Sequence, residues 1–124
     1  MTPMRILTAS LLLLLSAAPA LADGYPVTGR WGVVTSASDG PVDCSNKRVI
    51  EFNGAQRSDS NGGVPSYRVK SVAPAGPGQW RVTDQFTTGQ IRNGSVSYTL
   101  KQADADHLEL QQQKGGTLKL QKCK

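Results

Sequence analysis

Apolar and polar side chains alternate along most of the chain beyond residue 22. In the segment "QWRVTDQF", for example, Trp80, Val82 and Phe86 share one side of an extended strand, whereas Arg81 and Thr83 share the other. This period of two is typical of antiparallel strands that have one buried and one solvent-facing side. No window beyond residue 22 repeats apolar residues at helical spacing, and Gly and Pro interrupt the chain often. The pattern therefore predicts an all-β protein.

Turn sequences divide this pattern into short segments. Four dipeptides suit turns with positive φ: Asp39-Gly40, Asn53-Gly54, Asn93-Gly94 and Gly115-Gly116. Between the turns the sequence predicts seven strands, near residues 28–35, 47–53, 66–73, 79–87, 95–102, 107–113 and 117–122. The segment 54–65, "GAQRSDSNGGVP", is predicted to be a flexible surface loop.

A meander of this length has two plausible architectures. It can close into a small antiparallel up-and-down barrel of seven to eight strands, or it can fold into a two-layer β-sandwich. Closure leaves no exposed sheet edge, so the barrel is the favoured prediction. The many large side chains of inward parity are expected to fill most of such a barrel, which argues against a voluminous pocket.

The first 22 residues have the features of a secretion signal. Arg5 gives a basic start, residues 6–15 are apolar, and Ala20-Leu21-Ala22 is an A-x-A cleavage motif. Cleavage after Ala22 leaves residues 23–124 as a single domain. We expect this mature domain to be periplasmic or secreted, to be a monomer and to contain no transmembrane segment.

The mature part of the chain contains two cysteines and an excess of basic residues. Cys44 and Cys123 are expected to form a disulfide, because an oxidising compartment favours pairing, with two free thiols as the alternative. The whole chain has a formal net charge of +5, but its basic residues are spread along the sequence. A nucleic-acid surface usually concentrates them, so a nucleic-acid partner is not predicted.

The first predicted strand begins with a Gly-x-Trp motif, Gly29-Arg30-Trp31. Both Gly29 and Trp31 are interpreted as structural: the glycine permits a tight turn and the tryptophan fills one end of the barrel. In a secreted all-β meander this motif resembles the calycin group, which includes lipocalins, avidins and small bacterial periplasmic metalloprotease inhibitors. In those inhibitors a short N-terminal segment precedes the motif and a cysteine follows it, as Cys44 does here. Their second cysteine comes soon after the first, whereas here it is Cys123.

The resemblance implies a non-enzymatic binding protein of the periplasm. In the inhibitors the leading residues enter the protease cleft, so the leading hypothesis is a protein-binding module such as a protease inhibitor. Its binding residues would come from the loop 54–65 and from the N-terminal segment formed by Asp23, Gly24, Tyr25, Pro26 and Val27. Deletion of that segment is then expected to abolish inhibition without lowering the melting temperature.

Two other functions remain open at this point. One is a small-molecule carrier of calycin type, in which Trp80, Asp84 and Tyr98 line a cavity for a small apolar ligand. The other is an envelope-associated protein whose basic face meets anionic surfaces, an association that salt would weaken.

Asp84 has the parity of the apolar residues around it and is expected to point inward. A carboxylate there is costly unless it is paired. Asp84 either anchors a polar group of a ligand or lies at a bulge or barrel rim, where it meets an arginine or water. The second interpretation is favoured, because bulges are common in barrels.

The remaining chemistry-bearing residues do not indicate catalysis. Asp104, Asp106 and His107 could offer metal ligands, but they fall in an expected hairpin turn, and no second histidine is present to complete a transition-metal site. Glu51 and Glu109 are predicted on outer faces, and no serine has a nucleophile-elbow context. The sequence therefore predicts no enzyme activity, no metal and no cofactor.

Overall fold

In a computed structural model, which describes residues 20, 21 and 23–124, the chain is built from β-strands, and the described residues include no helix. The predicted secretion signal lies outside these residues, except for the two that form the first strand. The strands are β1 (Ala20–Leu21), β2 (Gly29–Val34), β3 (Val49–Asn53), β4 (Gln56–Asp59), β5 (Tyr67–Gly76), β6 (Gln79–Phe86), β7 (Gly94–Gln102), β8 (His107–Gln112) and β9 (Thr117–Lys122). None of this described part could cross a bilayer as a helix.

Strands β2 to β9 form a closed antiparallel barrel. Each strand pairs with the next along the chain, β9 pairs with β2, and the β5–β6 pairing completes the ring. The short β1 adds to the outer part of β5 through Ala20–Val72 and Leu21–Ser71. The prediction of an all-β up-and-down barrel is confirmed, and it is the barrel rather than the sandwich that forms. Closure pairs the edges that a meander would otherwise expose.

The strand β4 was not predicted, because its sequence lacks the alternating pattern. It forms a hairpin with β3 through the pairs Asn53–Gln56 and Phe52–Arg57. Gly54 occupies the turn with φ of 62°. The prediction of a loop over 54–65 is therefore wrong for residues 56–59: their inward position is filled by an arginine, where the pattern requires an apolar residue.

The barrel interior contains a continuous apolar core. Its buried members are Val27, Trp31, Ile50, Phe52, Val69, Val82, Tyr98, Leu100, Leu108, Leu110 and Leu120. Trp31 donates its indole N–H to the carbonyl of Thr28 at 3.1 Å. Gly29 has φ of 98°, and a Cβ there would lie 2.7 Å from Nζ of Lys122, whose ammonium group lies over the Trp31 ring. The Gly-x-Trp motif therefore packs the chain entry against β9.

The loop 35–46 crosses the outside of the barrel and is fastened to β9. The predicted disulfide is confirmed: Cys44 and Cys123 are bonded, with 5.6 Å between their Cα atoms. Gln121 is completely buried under this loop, accepts a hydrogen bond from the Ser38 amide and donates to the carbonyls of Ser38 and Gly40. The loop is therefore held by a covalent bond at one end and by a buried amide in its middle.

Candidate functional site

A polar cluster occupies the centre of the barrel, around Asp84 on β6. This carboxylate has no solvent exposure. Its Oδ1 accepts a hydrogen bond from the Tyr25 hydroxyl at 2.9 Å, and its Oδ2 accepts from the Tyr98 hydroxyl at 2.7 Å and from Nε of Arg57 at 2.8 Å. We refer to these four residues as the Asp84 network. Both oxygens of the carboxylate have partners, as a buried charge requires.

The position of Asp84 in its strand differs from the prediction of a bulge or a rim position. Asp84 points inward and meets an arginine, as the favoured interpretation proposed, but it lies neither at the rim nor at a bulge in its own strand. It pairs with Val69, and the register shift falls in β5, between Val69 and Ser71. The strand β6 stays regular, so the parity of its sequence carries the carboxylate directly into the core.

The two tyrosines and the arginine of the Asp84 network keep definite protonation states. Burial raises the pKa of Tyr25 and of Tyr98 far above the usual value, and the Asp84 carboxylate raises both further. Burial also opposes the charge on Arg57, but the attraction of its partners outweighs that effect and raises the pKa of Arg57. The network therefore consists of two neutral hydroxyl donors, a guanidinium cation and the carboxylate that accepts from all three.

The N-terminal segment 23–27 packs against the barrel, beside the Asp84 network. Tyr25 donates its amide to the Gly54 carbonyl at 2.9 Å, and its ring packs edge-on against Phe52 at 5.0 Å. Val27 is a buried core residue, and Pro26 is half-buried. Gly24 fits closely against Gly54, since a Cβ there would lie 3.1 Å from the Gly54 carbonyl oxygen. Only Asp23 is fully exposed.

One end of the barrel opens into a small cavity of about 100 Å³, which we call the mouth cavity. Its lining residues are Arg48, Ile50, Arg57, Asp59, Tyr67, Val96, Ser97, Tyr98, Leu110, Gln112 and Leu118. At its rim, Arg48 makes a bidentate ion pair with Asp59, with N–O distances of 2.9 and 2.7 Å. Burial would raise the pKa of Asp59, but the Arg48 hydrogen bond, the Asn61 amide and the charges of Arg48 and Arg57 together outweigh it, and the pKa of Asp59 is lowered.

The residues predicted to line a ligand cavity do not share one. Tyr98 lines the mouth cavity, but Asp84 lies beneath it with both oxygens occupied. Trp80 is half-buried, pairs with Pro74 and Leu100, and is not among the residues lining the mouth cavity. A volume of about 100 Å³ is also below the several hundred Å³ typical of pockets for drug-sized ligands.

A larger concavity, which we call the outer groove, lies on the outside of the barrel beside the loop 35–46. It encloses about 480 Å³. Its lining residues are Val34, Ala37, Lys101, Ala103, Asp104, His107, Leu108, Glu109, Lys119 and Leu120. Small apolar side chains thus lie next to charged ones in a cleft that is large enough to receive part of a ligand.

His107 connects the outer groove to the loop that borders it. Its Nε2 lies 2.7 Å from the Ser38 carbonyl oxygen, and its Nδ1 lies 2.8 Å from Oδ1 of Asp104. Both partners only accept hydrogen bonds, so both ring nitrogens donate and the imidazole is protonated in this geometry. The Asp104 hydrogen bond, followed by the Ser38 carbonyl, raises the pKa of His107.

The acidic and histidine side chains of this turn do not assemble a metal site. Asp104 accepts from His107 and from the Asp106 amide, which lowers its pKa. Across the described ranges, no group of three His, Cys, Asp or Glu side chains is arranged to hold a metal ion. The residues Asp104, Asp106 and His107 form a capped turn.

The protonated His107 makes stability depend on pH. A group whose pKa is raised on folding stabilises the protein fully below its unfolded pKa, near 6.5, and loses that contribution as pH rises through its folded pKa. We expect His107→Gln to be less stable than the wild type at about pH 5.5, with a difference that shrinks towards about pH 9. Urea unfolding across this range measures it. Since His107 is the only histidine in the sequence, parallel pH profiles for the two proteins would contradict the assignment.

Arg57 and Gln121 are central to these sites, yet sequence reasoning missed both. The Asn53-Gly54 turn was the available signal for Arg57, because a hairpin turn implies a paired strand on each side. For Gln121, an amide between Leu120 and Lys122 on the polar side of its strand carried no comparable signal. No protein-family model, no curated protein and no solved structure matches this chain.

Proposed function

We propose that the mature chain is an exported, calycin-like binding module that recognises an acidic segment of a partner protein in its outer groove. The observation that carries this proposal is the outer groove itself, a cleft of about 480 Å³ beside a loop anchored by a disulfide. A disulfide is typical of proteins that work in an oxidising compartment such as the periplasm. The interior, by contrast, is filled by the apolar core and the Asp84 network.

The composition of the outer groove favours an acidic polypeptide as its occupant. Val34, Ala37 and Ala103 provide small apolar contacts of the size that peptide side chains fill. Lys101, Lys119 and the protonated His107 face the same cleft, against the two carboxylates of Glu109 and Asp104. Below the raised pKa of His107 the cleft has an excess of positive charge, and the whole chain has a formal net charge of +5 with His107 counted as neutral. Charge complementarity of this kind steers association and sets the register of a bound segment.

A protease remains a possible partner in this proposal, but insertion of the segment 23–27 into its cleft has less support. That insertion would withdraw Tyr25 from Asp84 and Val27 from the core. The buried Asp84 carboxylate would then lose one of its three hydrogen-bond donors, which would lower the free energy of unfolding by about 1–3 kcal/mol. An inhibitor built on this barrel would act through the outer groove instead.

Selection from a random peptide display library on the immobilised, disulfide-bonded protein tests the proposal. We expect enriched peptides that are acidic and that bind about tenfold or more weakly to Ala37→Trp, because the indole fills the groove. Ala75→Trp is the matched control, since Ala75 is exposed on β5 and does not line the outer groove.

Two charge-reversal double variants distinguish binding in the outer groove from general electrostatic attraction to the protein. The double variant Lys101→Glu/Lys119→Glu is expected to lose acidic peptides, whereas Lys70→Glu/Lys114→Glu has the same net charge and retains them. Equal losses in both double variants, or peptide binding that survives Ala37→Trp, would contradict recognition in the outer groove.

A further inference from the structure

Arg57 has hydrogen-bonding capacity that its own fold does not use. Its side chain is only 6% exposed; its Nε donates to Asp84, and the guanidinium also lies within hydrogen-bonding reach of the Tyr25 hydroxyl. No fully buried side-chain nitrogen or oxygen in this part of the chain lacks a partner. The two terminal nitrogens of Arg57, Nη1 and Nη2, therefore border accessible space, and the cavity that Arg57 lines is the mouth cavity.

The guanidinium of Arg57 is held rigidly at the floor of this cavity. Its Cζ lies 3.9 Å from the centre of the Tyr67 ring and 5.2 Å from that of Tyr98. Cation–π contacts on two rings, together with the Asp84 hydrogen bond, fix the plane of the guanidinium. Two terminal nitrogens that are held in one plane can donate parallel hydrogen bonds to both oxygens of a carboxylate.

Two guanidinium groups line the mouth cavity, and each is paired with one carboxylate. Arg48 meets Asp59 at the rim, and Arg57 meets Asp84, which is not among the lining residues. The guanidinium of Arg57, rather than the carboxylate of Asp84, therefore faces the cavity. A carboxylate that enters the cavity would meet these two guanidinium groups before it meets Asp84.

The mouth cavity is also lined by aliphatic side chains, those of Ile50, Val96, Leu110 and Leu118. With a volume of about 100 Å³, the cavity admits a carboxylate with a few carbons and excludes a long acyl chain. We propose that the mouth cavity binds the carboxylate of a short aliphatic group, with both oxygens on Nη1 and Nη2 of Arg57. This site is separate from the outer groove and does not rest on the function proposed there.

An NMR titration at constant ionic strength tests this site directly. Sodium propionate is expected to shift the backbone amides of Tyr67, Val96 and Tyr98 in a saturable way. Propionamide has nearly the same shape without the charge, and its Kd should be about tenfold higher or more. N-acetylalanine distinguishes two sources of the carboxylate: tighter binding than propionate identifies a polypeptide C-terminus, and weaker binding identifies a free short acid. Either result supports the site.

A rim variant keeps the proposal testable without disturbing the Asp84 network. Val96 is 38% exposed at the cavity edge, so Val96→Trp is expected to cover the cavity and abolish the propionate shifts. Ile91→Trp is the matched control, because Ile91 is 48% exposed in the loop before β7. The proposal is overturned if propionamide binds as tightly as propionate, if Val96→Trp binds unchanged, or if the mouth amides do not respond.

Discussion

Replacement of Asp84 by alanine is expected to lower the free energy of unfolding by about 3–5 kcal/mol. The substitution leaves the Arg57 guanidinium buried without its counter-charge and removes the acceptor of the Tyr25 and Tyr98 hydroxyls. Three buried or half-buried donors then lose the carboxylate that accepts from all of them. Urea unfolding followed by tryptophan fluorescence measures the change.

Two controls show whether this loss comes from the buried ion pair. Glu51→Ala removes a carboxylate from the outer side of β3 and is expected to change stability by no more than about 0.5 kcal/mol. In a double-mutant cycle, Asp84→Ala/Arg57→Ala should lose less than the sum of the two single variants, because each single variant strands a charge. Additive losses, or a loss for Asp84→Ala no larger than for Glu51→Ala, would argue against the network.

Removal of the disulfide is the second large expected effect. The Cys44→Ala/Cys123→Ala variant should lose on the order of 4 kcal/mol, because the bond closes a loop with a sequence separation of 79 residues in the unfolded chain. It should also release the loop 35–46, which within the described part of the chain is otherwise held by Gln121, by His107 and by a few backbone hydrogen bonds around Val42. Chemical unfolding and amide exchange of residues 35–46 measure the two consequences.

Reduction of the wild-type protein provides the matched comparison. Dithiothreitol should bring the wild type to the stability of the double alanine variant and should leave that variant unchanged. A loss below about 1 kcal/mol in both experiments would mean that the bridge does not restrict the unfolded chain as the loop-closure argument requires.

The barrel could be predicted from the sequence because most of its strands have one dry and one wet side. Trp31 and Val33, or Leu108 and Leu110, mark their strands by alternation alone. The strand β4 lacks this alternation because Arg57, rather than an apolar residue, occupies its inward position. That arginine is stable there only because Asp84, which lies 27 residues further along the chain, neutralises it.

The Asp84 network could be predicted only in part for the same reason. The parity of β6 indicates that Asp84 points inward, and burial then requires a partner. The partners themselves, Tyr25, Arg57 and Tyr98, are set by the barrel closure and lie 59, 27 and 14 residues away. No local pattern encodes those distances, which is why the N-terminal segment was interpreted as a free binding segment.

The outer groove could not be predicted from the patterns of the individual strands either. It depends on where the loop 35–46 crosses the barrel, and that position is determined by the Cys44–Cys123 bond and by Gln121. The disulfide was predictable from the two cysteines of a chain that is expected, from its first 22 residues, to be exported. Its effect, which is to bring Ala37 beside His107 and Lys119, follows only from the three-dimensional register.

The Asp84 network, and not a ligand cavity, occupies the barrel centre. The most direct test of this arrangement is hydrogen exchange of the Arg57 Nε–H, observed by NMR of the disulfide-bonded protein and assigned with Arg57→Lys. We predict a resolved resonance that exchanges much more slowly than the Nε–H signals of exposed arginines, with a nuclear Overhauser contact to the Tyr98 ring. An Arg57 Nε–H that exchanges as fast as those of the exposed arginines would contradict the account.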